Sequence, residues 1–286
     1  MEREGTIRTP DGRTLAYLER GDPAGAPVLF NHGTPGSRLD HHPDPAVYDG
    51  VRFIAYDRPG YGRSDPRPGR TVAAASDDAL ALADHLGLER FGVLGVSGGG
   101  PHALACAALL GDHVRRACVH VGVAPSDDPG LDFLAGMADV NVTEFTAARD
   151  GPEALADVLA PWLEEAERDP NGMIDTLAAE LPEYDRDVLA EPAVRATLAT
   201  SVAESVRQGS SGWIADDLAF ASSWGFDLAS VGVPVRLWQG ELDVLVPRAH
   251  GEYLARMIPE ASFELIPGAG HMLLDYWREA LVWLAK

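Results

Sequence analysis

Four stretches of the chain are nearly unbroken runs of apolar residues: Pro27–Asn31 (PVLFN), Val51–Asp57 (VRFIAYD), Phe91–Val96 (FGVLGV) and Val114–Val123. A strand buried on both faces of a parallel sheet reads this way, because neither of its faces requires a polar residue. Between them, Thr71–Leu86 carries apolar residues at helical spacing and stops at Gly87, and Gly98–Leu110 predicts a helix built of small residues. At the start of the chain, Thr6–Arg8 and Thr14–Glu19 flank Asp11-Gly12, the pattern of an antiparallel hairpin. Strand and helix signals in alternation predict an α/β fold, a mostly parallel central sheet with helices on both faces.

Beyond Ala124 the strand-like runs vanish. Leu155, Val158, Leu159, Trp162 and Leu163 fall on one helical face, as do Val194, Leu198, Val202 and Val206. Alternation resumes with Val233–Gln239, Arg248–Ile258, Ser262–Ile266 and Met272–Ala285 as strand, helix, strand and helix. The expected organisation is a core formed by 1–124 and 213–286, with 125–212 inserted as a helical cap over the carboxyl edge of the sheet. Gly209–Gly212 (GSSG) reads as the hinge between them.

Composition adds exclusions. The net charge is −21, and 19 acidic residues against 5 arginines place −14 of it between Ser126 and Gly212. Nucleic acid is therefore not an expected partner, since phosphate neutralisation needs clustered cations. Lys286 is the only lysine. That removes a P-loop lysine, a Schiff-base lysine and a Ser-x-x-Lys pair from consideration. No stretch approaches the length of a membrane span, and the N-terminus lacks the apolar core of a signal peptide. Cys106 and Cys118 lie in apolar runs and read as buried thiols, so a cytoplasmic location without disulfides is expected. The paired His41-His42 lacks companions at metal-ligand spacing and reads as an exposed loop.

The chemistry is concentrated after strands. Gly95-Val96-Ser97-Gly98-Gly99 joins a predicted strand to a predicted helix. A turn that tight needs glycines to avoid clashes, and it lifts Ser97 to the sheet edge above a helix N-terminus. The overlapping Gly98-Gly99-Gly100-Pro101-His102-Ala103 fits a dinucleotide fingerprint, but positions 118–123 offer no acid for a ribose, so no cofactor is expected. Asp243 follows the Val233 strand and His271 the Ser262 strand, in the order acid then base. Asp127 and Asp128, after the Val114 strand, are the alternative acids. In His32-Gly33-Thr34-Pro35-Gly36-Ser37, a glycine turn can aim the Thr34 N–H towards the same point as the Gly98 N–H, giving two donors for an oxyanion. His32 itself reads as structural.

These segments together resemble the α/β-hydrolase family, in particular its cap-bearing serine hydrolases, from Thr6 to Ala285. Asp57-Arg58-Pro59-Gly60-Tyr61-Gly62-Arg63-Ser64 is similar to the family loop that supports the oxyanion turn, and Trp224-Gly225-Phe226-Asp227 to its return from cap to core. The resemblance implies a Ser97–His271–Asp243 triad with an oxyanion hole at Thr34 and Gly98, no cofactor and no metal. It further implies a small-molecule substrate: an ester or lactone of a neutral, moderately apolar compound, cleaved through an acyl-enzyme. Proline-aminopeptidase, amide or carbon–carbon hydrolase activity on the same triad, or a weakly catalytic ligand receptor, are the alternatives. Of the apolar residues Phe133, Leu134, Met137, Val140, Phe145 and Trp162, the expectation is packing inside the cap rather than contact with ligand. No membrane partner is expected, and monomer and homodimer both remain open.

Overall fold

The computed structural model describes residues 2–286. Its centre is an eight-stranded sheet formed by β1 (Glu2–Arg8), β2 (Thr14–Gly21), β3 (Ala26–Asn31), β4 (Val51–Tyr56), β5 (Phe91–Val96), β6 (Val114–His120), β8 (Val235–Gly240) and β9 (Ala261–Ile266). The spatial order is β1-β2-β4-β3-β5-β6-β8-β9; β2 runs antiparallel to its neighbours β1 and β4, and the remaining neighbours are parallel. The short strand β7 (Arg207–Ser210) stands outside this sheet.

Strand periodicity explains how continuous apolar runs satisfy two faces. Leu29, Val93, Val119 and Leu237 enter the core beneath α1 (Ala75–Leu86), α2 (Gly99–Leu109) and α9 (Arg248–Met257), represented there by Leu82, Leu104 and Leu254. Their neighbours Val28, Leu94, Cys118 and Trp238 point the other way, onto Trp277, Leu281 and Leu284 of α10 (Trp277–Leu284). The result is three layers, helix on sheet on helix.

Between β6 and β8 the chain forms α3 (Asp139–Asp150), α4 (Pro152–Arg168), α5 (Pro170–Ala178), α6 (Glu183–Ala190), α7 (Pro192–Ser205) and α8 (Ser211–Phe220). Leu155, Leu159, Val202 and Trp213 build a separate apolar cluster in this segment, so it buries a small core of its own. Phe133, Met137 and Phe145 are not part of it; they are buried in the main core with Tyr253 and Leu254. Within the hinge expected at Gly209–Gly212, Gly209 takes φ of 77° in open space, whereas Gly212 is packed. Gly212 lies buried in the first turn of α8, where a Cβ would fall 2.6 Å from the Tyr61 ring. Close packing on Tyr61 and Gly60, rather than freedom of movement, accounts for that glycine.

The order of strands creates the site. From β3 the chain passes to β4 on one side and then to β5 on the other, so the crossovers leave in opposite directions and a crevice opens beyond the carboxyl ends of β3 and β5. Asn31 pairs with Gly95, which places the loops after these two strands side by side.

Candidate active site

The loop after β5 is a strained turn. Ser97 has φ of 54°, a conformation that costs a non-glycine residue about 1–3 kcal/mol. The chain can bend here only because its neighbours lack side chains. A Cβ on Gly99 would lie 2.0 Å from the Asn31 carbonyl oxygen, and one on Gly95 would lie 2.4 Å from that of Gly99. The Ser97 N–H donates to the His120 carbonyl at 2.9 Å, tying the elbow to β6.

The loops after β8 and β9 meet because these strands are neighbours, with Gly240 paired to Ile266. His271 Nδ1 lies 2.9 Å from Asp243 Oδ2. A carboxylate can only accept, so Nδ1 carries the proton and Nε2 is left with a free lone pair. Asp243 is fixed in turn: Oδ1 accepts the N–H groups of Leu245 and Val246, each at 2.9 Å, and Oδ2 accepts the Gln239 amide at 3.1 Å. Burial alone would lower the His271 pKa, but the charge and hydrogen bond of Asp243, with Asp185 behind them, raise it above 6.5. The alternative acid lies elsewhere. Asp128 accepts from Tyr253 Oη at 2.6 Å and from the Gly130 N–H, contacts that hold its pKa down.

Ser97 and His271 line one cavity of about 210 Å³, together with Gly33 and Thr34. No hydrogen bond joins Ser97 Oγ to His271 among the described residues; such contacts commonly close only when substrate binds. Gly98 is buried behind Ser97, and a Cβ there would lie 2.3 Å from Thr34 Oγ1, so the two expected oxyanion donors belong to backbone segments in close approach.

What holds the Thr34 turn is a group of charges that sequence reasoning only half found. Arg58, buried, donates to the carbonyl oxygens of His32 and Gly33 and to Thr34 Oγ1. Its counter-ion is Asp216 of α8, fully buried, which also receives Arg70 at 2.5 Å, Thr34 Oγ1 at 2.8 Å, Tyr61 Oη at 2.9 Å and His102 Nε2 at 3.2 Å. Burial would raise the Asp216 pKa, but Arg58 and Arg70 hold it well below the carboxylate range. His32 is structural: its ring faces the Gly33 carbonyl through Nδ1 and accepts the Arg58 N–H at Nε2.

The remaining expectations divide. His41 and His42 are half-buried rather than exposed, and His41 faces the cavity. Val140 and Trp162 also line the cavity, whereas Phe133, Met137 and Phe145 pack inside. Cys106 and Cys118 are free and buried, and burial pushes the Cys106 thiol up to about 12.

A doubly wound sheet with a serine on the turn after β5, and an acid–histidine pair after its last two strands, is the architecture of the α/β-hydrolase class. Residues 26–276 match the family described as alpha/beta hydrolase fold, and the chain belongs to that family. Among its relatives are a proline iminopeptidase of Xanthomonas citri, 35% identical over 113 residues, and a bifunctional esterase/perhydrolase of Acinetobacter calcoaceticus, 34% identical over 126 residues. The first match takes in 37% of this chain and 35% of the relative; the second takes in 42% and 45%. A thermophilic esterase from Thermogutta terrifontis superposes with a TM-score of 0.68 at 24% identity, over 97% of this chain and 93% of its own.

Proposed function

We propose that the protein is a serine hydrolase that cleaves a carboxylic ester or lactone of a neutral, moderately apolar small molecule. Ser97 Oγ attacks the carbonyl carbon and its proton passes to His271 Nε2. Asp243 keeps the imidazole in the required tautomer and stabilises its charged form. The Thr34 and Gly98 N–H groups receive the developing oxyanion. Collapse expels the alcohol oxygen, which takes the proton from His271, and leaves an acyl group on Ser97. Water then attacks the acyl carbon with His271 again as base, releasing the acid and restoring the serine.

The observation that carries this reading is that Ser97 and His271 share a cavity while Nδ1 of the histidine is engaged by a fixed carboxylate. The walls of the cavity support this substrate class. Trp162, Met173, Ile174, Leu198 and Trp213 supply apolar surface, while Asp40 and Glu144 are the acids and no arginine or lysine takes part. Such walls favour neutral compounds over anions, and the acidic helical segment, read as a cap, adds to that bias.

The test is turnover of p-nitrophenyl acyl esters together with labelling by a fluorophosphonate probe. Wild-type protein should turn over and label stoichiometrically, and Ser97→Ala and His271→Ala should lose turnover by a factor on the order of 10³ or more. Folded variants that keep near-wild-type turnover contradict the assignment, and absence of labelling points to the ligand-receptor alternative. The proline iminopeptidase similarity supports a second reading on the same residues, amide hydrolysis. Turnover of a proline arylamide exceeding that of every ester would favour it.

A further inference from the structure

His271 is held from two sides, and only one of them is Asp243. Asp185, in α6 of the helical segment, is fully buried. Its Oδ2 accepts the main-chain N–H of His271 at 3.0 Å and its Oδ1 that of Met272 at 2.8 Å. Both acceptor atoms are thus spent on the histidine loop, from a residue 86 positions away in sequence. The approach is close: a Cβ on Gly270 would fall 2.2 Å from Asp185 Oδ2. Around the pair, Leu181 and Leu189 of the helical segment cluster with Leu245 of the Asp243 loop, so apolar packing seats α6 at the same place.

We propose that Asp185 is a positioning residue for His271: a carboxylate carried by the helical segment that latches the histidine loop in its working shape. The proposal rests on the reading of His271 as the general base. Two main-chain hydrogen bonds to one carboxylate fix both the path of the loop and the height of the imidazole over the crevice. The latch makes a correctly placed base conditional on a seated helical segment. Movement of α6 away from the core releases the histidine loop in the same step.

Charge gives the latch a signature beyond stability. The charged groups facing the imidazole are Asp243, from the loop after β8, and Asp185, from α6. Both favour the protonated ring, so loss of the Asp185 charge lowers the His271 pKa and moves the acidic limb of kcat/KM to lower pH.

The test compares Asp185→Asn and Asp185→Ala with wild type on a p-nitrophenyl ester, with Ser97→Ala and His271→Ala in parallel. Asparagine keeps one acceptor and loses the charge; alanine loses both. Alanine should lower kcat by about 10- to 100-fold with a smaller change in KM, as expected for a misplaced catalytic group. Asparagine should recover part of kcat, and in both the acidic limb should shift downward. Amide exchange at His271 and Met272 should quicken in the alanine variant. Wild-type kcat with an unmoved limb overturns the latch, and so does a fall in kcat that merely follows a fall in Tm with an unmoved limb. Turnover that survives His271→Ala would instead refute the underlying reading of the base.

Discussion

Hydrogen bonding at single residues decides which acid meets the histidine. Asp127 and Asp128 stand after β6, one of the two places open to an acid, yet Asp128 is engaged by Tyr253 and lies in a different set of contacts from His271. Asp243 makes four hydrogen bonds that leave it no freedom to turn away. Asp243→Asn should lower kcat by a factor on the order of 10³–10⁴, because an amide that donates to Nδ1 imposes the wrong tautomer. Asp128→Asn should change kcat less than about threefold, since its contacts, to Tyr253 and the Gly130 N–H, do not involve the histidine. Reversal of that order in steady-state kinetics would move the acid to β6. Ser97, Asp243 and His271 could be singled out in the sequence because each follows a strand and is marked by glycines or a turn, and the structure brings Asp243 and His271 into contact and sets Ser97 and His271 on one cavity. Asp216 and Asp185 were not legible. Each is one more acid in an acidic helical region, and what distinguishes them are partners up to 182 positions away.

Elements hold these residues through close backbone approach rather than through loop rigidity. The turn after β5 passes so near β3 that a methyl group on Gly99 would meet the carbonyl oxygens of Asn31 and His32, at 2.0 and 2.6 Å. Neither is the mobile end of a side chain. Gly99→Ala should therefore cost about 3 kcal/mol or more, measured by urea denaturation, through forced displacement of β3 from the elbow. Gly111→Ala is the control, with no atom within 4 Å of the new methyl, and should stay within about 0.5 kcal/mol of wild type. Equal stability of the two variants would refute this account of the elbow. The strands themselves were readable as apolar runs, though ends were less so. The run Val114–Val123 stops as β6 at His120, because Val121 takes φ of 49°, which no pattern of apolar residues announces. Gly212 read as part of a hinge because sequence cannot distinguish a flexible glycine from one required by a neighbouring ring, here that of Tyr61.

Across the whole molecule, buried histidines tie folding to pH. Burial lowers His102 and His250 to about 4 and His120 to about 3, and it drives His32 well below its usual value. Unfolded, each titrates near 6.5, so between about pH 6.5 and 5 the unfolded chain takes up protons that the folded chain refuses. Stability is present above the unfolded pKa and is lost as pH falls. Other groups oppose this in part: burial raises Asp40 to about 6 and also raises Asp57, Asp78, Glu144, Asp185 and Asp217, and Asp243 raises His271. His41 and His42 are lowered by burial as well, and every lowered histidine loses stability inside the window from pH 7 to 5, so Tm should be lower at pH 5 than at pH 7; a higher Tm at pH 5 would contradict the balance. The same architecture that shelters these groups brings four separate loops to one crevice, and on that convergence the functional reading depends. It is tested most directly by reaction with an organophosphate, followed by peptide mass mapping. A single adduct on Ser97, formed quickly in wild type and at least about 100-fold more slowly in His271→Ala, is the predicted result. An adduct on another residue, or equal rates with and without the imidazole, would contradict it.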